Sequence, residues 1–337
     1  MNNDKSPKIA IIGAGFAGII LANRLKRQYH VTIFEKSRGV SGRLASRTRD
    51  QFTFDFGSQF FTAKNPEFKN FLLPYINCGI LEPWCGNFVE IDDYQITYRR
   101  PWGYVQNHLV ASPKMTQFCK ELARDLRIEF ETKITKINKN SQNDKWQLFD
   151  ENEVIKEFDW VLFAIPAQQL YELITPKISF FNDIKNIRML SCYALMLGLE
   201  EFIDIPFDMA LVKNSLISWI SCEHSKPSRN KVPAYTILAR NSWADANIDD
   251  DIQEVKQKMI DEFKKITNQE DLKIKHCDIH RWRYANIGKQ NNNSKFLLDL
   301  QNKIGACGDW NIQGRVEAGF ISANHLAEEL IFKVLHK

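Results

Sequence analysis

The sequence lacks a paired cysteine motif, a long apolar run and an excess of one charge. Its seven cysteines are scattered without a Cys-x-x-Cys pair, which argues against a zinc site or a disulfide framework and indicates reduced thiols. No apolar run approaches the roughly 20 residues that span a bilayer. The first eight residues lack the apolar stretch of a signal peptide. We therefore expect a cytoplasmic protein that binds no metal and no membrane.

The charge balance also argues against a nucleic-acid partner. The chain of 337 residues has 45 basic and 41 acidic side chains, a formal net charge of +4. Nucleic-acid binding requires a clustered basic face. Hydrophobic residues make up 44% of the chain and charged residues 26%, as in ordinary globular enzymes. The length is enough for two domains with a substantial core.

The most informative pattern lies near the start of the chain. A short apolar run leads into Gly13, Gly15 and Gly18, spaced G-x-G-x-x-G, and Glu35 ends the next apolar run, 22 positions after Gly13. In such a β-α-β unit the glycines permit a tight turn, close approach of a pyrophosphate and close packing of helix on sheet. The helix N-terminus offers unpaired amides to the anion, and the acidic residue accepts hydrogen bonds from the ribose. The combination favours a dinucleotide site over a structural glycine turn.

Hydrophobic periodicity predicts an alternating chain with a more β-rich middle. The predicted helices cover about 15–28, 66–77, 113–125 (with Ser112 as N-cap and Pro113 at the first position), 249–266 and 315–335. The predicted strands cover 8–12, 31–35, 128–132, 134–138, 146–149, 159–165, 189–199, 216–221, 234–240 and 273–281, with a surface loop at 288–295. Nucleotide-binding features stand at both ends, so we expect domains that are discontinuous in sequence.

Several further segments resemble a known family. Arg43 follows a second glycine turn just after Glu35, where a guanidinium suits a pyrophosphate better than solvent. Together the following segments resemble the flavin-dependent amine-oxidase-like superfamily, and within it bacterial renalase-like proteins: residues 35–47, 55–63, 158–169, 218–229, 280–285 and 306–318. The runs Ser-Lys-Pro-Ser-Arg, Arg-Trp-x-Tyr-Ala and Cys-Gly-Asp-Trp are more specific than the glycine motif.

The resemblance implies an α/β fold with noncovalently bound FAD. This fold has two domains. The FAD-binding domain is of the Rossmann type and consists of a β-sheet with helices and a β-meander. The inserted substrate domain is α+β, and its sheet is mainly antiparallel. The predicted FAD-binding domain covers 1–66, 105–170 and 290–337, and the substrate domain covers 67–104 and 171–289. Cys307 precedes the Gly-Asp pair, but the family pattern there implies no covalent flavin link.

The resemblance and the glycine motif together give a set of cofactor-binding residues. In the family pattern, the Gly-Asp pair contacts the pyrophosphate and ribityl chain, and the backbone at 134 touches the adenine. Residues 315–317 place a helix N-terminus under the flavin pyrimidine, where it suits the negative charge of reduced flavin. The full set is Gly13, Gly15, Phe16, Ala17, Gly18, Glu35, Lys36, Gly42, Arg43, Leu44, Gly57, Ser58, Gln59, Ile134, Gly308, Asp309, Arg315, Val316 and Glu317.

The resemblance also implies an activity. Renalase-like enzymes oxidise 2- and 6-dihydro isomers of NAD(P)H to NAD(P)+, passing hydride to flavin N5 and electrons to dioxygen, which gives hydrogen peroxide. This chemistry requires stacking and exclusion of side reactions rather than an acid–base pair, and no Ser/His/Asp or paired-carboxylate motif is apparent. The pocket candidates are Gln59, Phe60, Trp219, Arg240, His280, Trp282 and Tyr284. For each of them a structural role in the core is the alternative.

Other functions remain open at this point. A flavin amine oxidase or a carotenoid-type desaturase would share the fold, and so would a flavin- or dinucleotide-binding sensor without turnover. A plain NAD-dependent dehydrogenase is disfavoured because it needs no C-terminal Gly-Asp element. The sequence also departs from the family pattern. Ser41 replaces a glycine of Gly-Gly-Arg, Phe56 and Phe60 replace a histidine and a tyrosine, and residues 111–115 replace a Gly-x-Pro-Gly-Met turn.

Overall fold

The computed structural model describes residues 6–103, 108–151, 153–289 and 294–335, so the predicted loop at 288–295 lies partly outside the described residues. The helices are α1 (Phe16–Leu25), α2 (Pro66–Asn77), α3 (Thr116–Leu122), α4 (Ala167–Leu173), α5 (Phe181–Lys185), α6 (Asn241–Ala246), α7 (Ile252–Thr267) and α8 (Val316–Leu335). None of these helices is long and apolar enough to cross a bilayer.

The strands alternate with these helices at both ends of the chain and dominate its middle. They are β1 (Lys8–Ile12), β2 (His30–Phe34), β3 (Arg47–Arg49), β4 (Phe52–Phe54), β5 (Leu81–Pro83), β6 (Gly86–Asp92), β7 (Gln95–Trp102), β8 (Leu109–Ala111), β9 (Ile128–Glu129), β10 (Lys136–Asn140), β11 (Lys145–Phe149), β12 (Val154–Phe158), β13 (Trp160–Phe163), β14 (Met189–Leu199), β15 (Met209–Val212), β16 (Ile217–Cys222), β17 (Ala234–Ala239), β18 (Ile274–Ile287), β19 (Leu297–Asp299) and β20 (Ile304–Ala306).

The chain divides into two compact units. Unit 1 comprises Met1–Arg43, Cys119–Met189 and Ile287–Lys337, and unit 2 comprises Leu44–Phe118 and Leu190–Asn286. The predicted FAD-binding domain and unit 1 have different bounds: the prediction includes residues 44–66 and 105–118, which belong to unit 2, and leaves out residues 171–189 and 287–289, which belong to unit 1. In the structure the first of these segments contributes Phe52 and Phe54 to the core of unit 2, and this burial of aromatic surface joins it to that unit.

Unit 1 is built on a mainly parallel sheet. Its six strands lie in the order β19-β20-β13-β1-β2-β9, and only β19 runs antiparallel to its neighbour. β1 is central and almost wholly apolar, since a parallel strand is covered on both faces. Helix α8 from the C-terminal part packs along α1, and β10, β11 and β12 form an antiparallel meander. The predicted Rossmann-type architecture is confirmed.

Unit 2 has a seven-stranded sheet in the order β18-β14-β17-β16-β15-β6-β7. Four of its pairings are antiparallel (β14 with β17, β17 with β16, β16 with β15, and β6 with β7), whereas β15 and β6 run parallel. The apolar stripe of α7, including Val255, Met259 and Phe263, belongs to the same core as Tyr235 and Ile237 of β17. The predicted helical stripe and the mainly antiparallel sheet of the middle segment are therefore both present.

Helix α3 begins later than predicted. The Ser112–Pro113 peptide bond is cis, and the helix starts at Thr116, so neither residue occupies the predicted cap position. The first amides are bound instead by distant side chains. The Asp55 carboxylate accepts from Met115 N at 3.0 Å, and the Ser46 hydroxyl accepts from Thr116 N at 3.0 Å. Capping is supplied by tertiary contacts that a local pattern does not contain.

Candidate functional site

Two glycines of the opening motif are required by the chain itself. Gly13 has φ +104°, and a Cβ there would lie 2.8 Å from the carbonyl oxygen of Ala164. Its amide donates to Phe34 O at 2.8 Å, which fixes the turn after β1. A Cβ on Gly18 would lie 2.0 Å from Gly13 O, so α1 can approach the turn only without a side chain.

Gly15 is different, because none of the residues that the structure describes requires a glycine there. Its φ of −72° and ψ of 175° are available to any residue. A Cβ would meet only Gly42 Cα, at 3.9 Å, which is ordinary van der Waals contact. Gly15 is the N-cap of α1, where first-turn amides have no partner within the helix. Close approach by a group outside the protein would account for the glycine, and glycine is also among the residues favoured at a helix N-cap.

Glu35 lies where the ribose contact is predicted. Its buried carboxylate accepts hydrogen bonds from the amides of Ala14 and Ser37, each at 2.8 Å. A carboxylate has about four lone-pair positions, so the side chain retains capacity for further donors. The backbone oxygen of Glu35 accepts from Thr132 N at 3.0 Å, which brings the segment that leads to buried Ile134 beside it. Ile134 precedes β10 rather than opening it.

Arg43 and Asp309 form an ion pair within unit 1 although they are separated by 266 positions. One guanidinium nitrogen lies 2.9 Å from a carboxylate oxygen, and the second guanidinium nitrogen contacts the other oxygen. Such a two-point contact fixes the geometry of both side chains. Gly308 precedes this aspartate, and its amide donates to Ser322 Oγ at 3.0 Å. The head and the tail of the chain thus meet.

The other predicted cofactor residues lie close in sequence to these elements, and Leu44 among them belongs to unit 2. Phe16 and Ala17 form the first turn of α1, and Val316 and Glu317 form the first turn of α8. The remaining residues of the set occupy turns or surface positions: Gly42 and Leu44 bound a short 3-10 turn, Lys36 is exposed, and exposed Arg315 has φ +81° immediately before α8. Gly57, Ser58 and Gln59 belong to unit 2.

Unit 2 contains an aromatic cluster around Phe60. Two of its rings, Phe60 and Trp219, are half-buried and lie 5.5 Å apart between centroids. We define the Phe60 cluster by its six members, which are Phe60, Trp84, Phe88, Trp102, His108 and Trp219. The structure thus brings two pocket candidates together. The other four members were not predicted, and their scatter over separate strands and loops gives no local signal.

A second cluster contains two more pocket candidates. His280 and Trp282, alternate residues on β18, contact Phe56 with ring centroids 4.9 and 5.4 Å away, and the Trp282 indole donates to Phe56 O at 2.8 Å. Burial, assisted by the positive charge of Arg47, lowers the pKa of His280 to about 4. Its imidazole is therefore neutral near pH 7. Tyr284 lies on the same strand face, because alternate residues share a face.

Arg240 has contacts typical of a structural arginine. Its Nε donates to Ser215 O at 2.8 Å and a terminal nitrogen donates to Val212 O at 2.7 Å. These bonds tie the end of β17 to the turn before β16. The guanidinium is thus engaged by backbone carbonyls, and these contacts favour the structural alternative over a role in the pocket.

A buried ionic network in unit 2 was not predicted from the sequence. Its charged members are Asp55, Glu223, Lys226 and Arg229, whose side chains are all at most 2% exposed. Burial alone would raise the pKa of Asp55, but Lys226 and Arg229 outweigh it and hold that pKa well below its usual range. Burial raises the pKa of Glu223. The Ser-Lys-Pro-Ser-Arg motif, recognised only as a family segment, supplies both cations.

No group of three or more His, Cys, Asp or Glu side chains in the described ranges is placed to hold a metal ion.

Two comparisons with known proteins concern only part of the chain. Residues 11–73 match the model of the NAD(P)-binding Rossmann-like domain. A 4,4'-diapophytoene desaturase (4,4'-diaponeurosporene-forming) of Staphylococcus aureus is 53% identical over 51 residues. That match covers 15% of this chain and only 10% of the desaturase.

Solved structures share the fold over nearly the whole chain. A candidate protoporphyrinogen oxidase from Exiguobacterium sp. 255-15 superposes with a TM-score of 0.80 at 12% identity, covering 98% of this chain and 99% of the other. A CLA-producing fatty acid isomerase from P. acnes gives 0.70 at 11% identity, with 99% of both chains covered. An oxidoreductase from Methanosarcina mazei gives 0.67 at 12% identity, covering 95% and 100%. At such low identity these likenesses establish the fold alone.

The model of the flavin containing amine oxidoreductases matches residues 99–328, which is more than half of the sequence. The predicted superfamily is confirmed, whereas the narrower renalase-like assignment stays a prediction. The chain belongs to the flavin-containing amine oxidoreductase family.

Proposed function

We propose that the flavin cofactor is FAD and that the predicted residues of unit 1 hold it. Gly15 carries this proposal, because its backbone conformation and its neighbours would both accept a side chain. A glycine retained there fits a diphosphate that must come close to the α1 N-terminus. Glu35 would receive the ribose hydroxyls, and the Arg43–Asp309 pair would lie beside the diphosphate and the ribityl chain.

We further propose that the protein oxidises 2- or 6-dihydro isomers of NAD(P)H to NAD(P)+. When bound, the flavin supplies the hydride acceptor at N5 and transfers electrons to dioxygen, which yields hydrogen peroxide. Such a reaction asks the protein to stack a planar ring and to exclude water, not to move a proton. The half-buried rings of Phe60 and Trp219 suit stacking. The neutral imidazole of His280 adds no charge that would repel a pyridinium product.

One observation favours a second candidate, oxidation of a small amine. The guanidinium of Arg100 lies 5.0 Å from the ring centroids of both Phe88 and Trp102. The faces of the Phe60 cluster therefore already accommodate a cation, as the binding site of a protonated amine would. This candidate differs from the first in substrate, not in cofactor.

A single experiment separates the candidates. The purified chain is reconstituted with FAD, made anaerobic and mixed in turn with 6-dihydro-NAD, ordinary NADH and a panel of primary and secondary amines. Loss of the oxidised-flavin absorbance measures reduction. We expect rapid reduction by 6-dihydro-NAD and much slower reduction by NADH.

Reduction by an amine but by no dihydronicotinamide would support the second candidate. Tight FAD binding without reduction by any of these compounds would instead indicate the sensor alternative. A chain that takes up no FAD would contradict the proposal at its first step.

A further inference from the structure

The ammonium group of Lys226 has no exposed surface and makes three polar contacts. Nζ lies 3.0 Å from a Glu223 carboxylate oxygen, 3.2 Å from Asp55 Oδ2 and 3.3 Å from Gln59 Oε1. An ammonium has three donors and no acceptor, so these contacts use its full capacity. Two acceptors are charged partners, but the third is the neutral side chain of Gln59.

The contact with Lys226 determines the orientation of the Gln59 amide. An ammonium can only donate, so the amide oxygen must face it and the amide nitrogen must point away. That nitrogen donates back to the carbonyl oxygens of Gly57, at 3.0 Å, and of Asp55. The Gln59 side chain therefore fastens the backbone of residues 55–59 into one turn.

Lys226 also contacts an aromatic side chain outside the turn of residues 55–59. Its Nζ lies 5.1 Å from the centroid of the Trp84 ring, and the Trp84 indole donates to Ser225 Oγ at 3.0 Å. Phe60, which directly follows Gln59, lies 6.5 Å from Trp84 between centroids. The Lys226 ammonium thus contacts both the turn of residues 55–59 and the Trp84 ring, which lies near Phe60.

Stability gives a weak reason for such an arrangement. Burying an ion pair costs desolvation, and apolar residues of similar volume often stabilise a core equally well or better. In some proteins buried charged groups instead specify one defined geometry. The segment that Lys226 defines contains Gly57, Ser58, Gln59 and Phe60, which are the predicted cofactor and pocket residues of unit 2.

We propose that Lys226 is a positioning residue that sets the geometry of the Gly57–Phe60 segment for cofactor binding. The proposal rests on the proposed binding of FAD and on the predicted role of Gly57, Ser58 and Gln59 as cofactor-binding residues. Lys226 acts through Gln59, Asp55 and Trp84 and does not itself touch the cofactor or substrate.

The test separates positioning from charge balance. Lys226→Met alone leaves two buried carboxylates with one guanidinium and lowers the melting temperature. Lys226→Met combined with Glu223→Gln restores neutrality with nearly unchanged volume. Lys231→Met is the matched control, because the Lys231 ammonium lies in the same loop, is exposed and contacts only His224 O, at 2.7 Å, among the described residues. FAD affinity, the shape of the bound-flavin absorption band and melting without FAD are measured for each.

We expect the double variant to recover most of the melting temperature of the unmodified chain, while its FAD dissociation constant stays raised about tenfold and its flavin band stays altered. Lys231→Met should leave all three measurements unchanged. Unmodified FAD affinity and spectrum in the stable double variant would overturn the proposal, and so would a double variant that does not fold. FAD binding without dihydronicotinamide oxidation would refute only the proposed substrate.

Discussion

Gly15 and Gly18 belong to one motif, but the chain needs them for different reasons. Gly18 is enclosed by the backbone of Gly13, whereas Gly15 adjoins space that the chain leaves open. Stability and cofactor affinity should therefore separate when each is replaced by alanine.

We expect Gly18→Ala to lower the free energy of unfolding by at least about 2 kcal/mol, because the added Cβ collides with backbone. Gly15→Ala should change that free energy by no more than about 1 kcal/mol and should weaken FAD binding tenfold or more. Urea unfolding and FAD titration measure the two effects. Gly39→Ala, where a Cβ meets nothing within 4 Å, is the control. Equal losses of stability in both variants would contradict this distinction.

Asp309 gives a second prediction at this scale. Asp309→Asn removes the negative charge from the pair with Arg43. The Arg43 side chain is 31% exposed and the Asp309 side chain is 10% exposed. Asp309 is buried and Arg43 is only partly exposed, so we expect a loss of about 1–2 kcal/mol in the free energy of unfolding. FAD affinity should fall about tenfold, because the Arg43 guanidinium is no longer held in place.

The matched control for this prediction is Arg24→Met. It breaks the exposed pair with Glu328, which also belongs to unit 1, and should leave FAD affinity unchanged. Comparable loss of affinity in both variants would show that the effect is general charge rather than the Arg43–Asp309 contact.

At the scale of elements, we expect His280 on strand β18 to make the stability of the folded state depend on pH. The pKa of His280 is about 4 in the folded chain against 6.5 for an ordinary histidine. As the pH falls, the unfolded chain binds the proton first, so the folded state loses stability between about pH 6.5 and pH 4. After allowance for solvent screening the loss is about 2 kcal/mol.

The measurement is urea unfolding at pH 7 and pH 4.5 for the unmodified chain and for His280→Gln. The variant should lose less stability across this interval, because its side chain does not titrate. Burial also lowers the pKa values of His224 and His276, but both remain in the variant, so the difference reports His280 alone. Parallel losses in the two proteins would contradict the prediction.

Elements with local signals were predictable from the sequence. Helix α2 was predicted at its observed bounds, because Asn65 caps Phe68 N and Pro66 occupies the first turn. Strand β14 was likewise predicted in full from its apolar run. The start of helix α3 was predicted too early. Its first amides are bound by Asp55 and Ser46, which come close to Met115 and Thr116 only after folding.

At the scale of the whole molecule, a ligand that binds only the folded state stabilises it. We expect free FAD at 100 times its dissociation constant to add about 2.7 kcal/mol to the unfolding free energy. Riboflavin, which lacks the diphosphate and the adenosine, should add little, because Gly15 and Glu35 would have nothing to bind and the Arg43–Asp309 pair would lose its diphosphate contact. Chemical unfolding with each compound measures this. Equal stabilisation by riboflavin would contradict the assigned binding residues.

The candidate site was predictable in the same uneven way as the fold. The glycine spacing and Glu35 are read directly from sequence, since the physical requirement is local. The Phe60 cluster and the Lys226 network are not, because Trp84, Trp102 and Lys226 lie far apart in the chain and become neighbours only through the sheet of unit 2. The sequence around a fully buried lysine has no composition or periodicity that distinguishes it from the sequence around a surface lysine.

The interleaved order of strands in unit 1 affects how the protein is made. β1 leaves the ribosome well before two of the strands that complete its sheet, because β13 and β20 begin at residues 160 and 304. The 266 positions that separate Arg43 from Asp309 must be synthesised before these two side chains can meet. A nascent chain would therefore complete the proposed cofactor site only after residue 309 has emerged, and until then the earlier strands would depend on chaperones or on transient partners to cover their apolar surface.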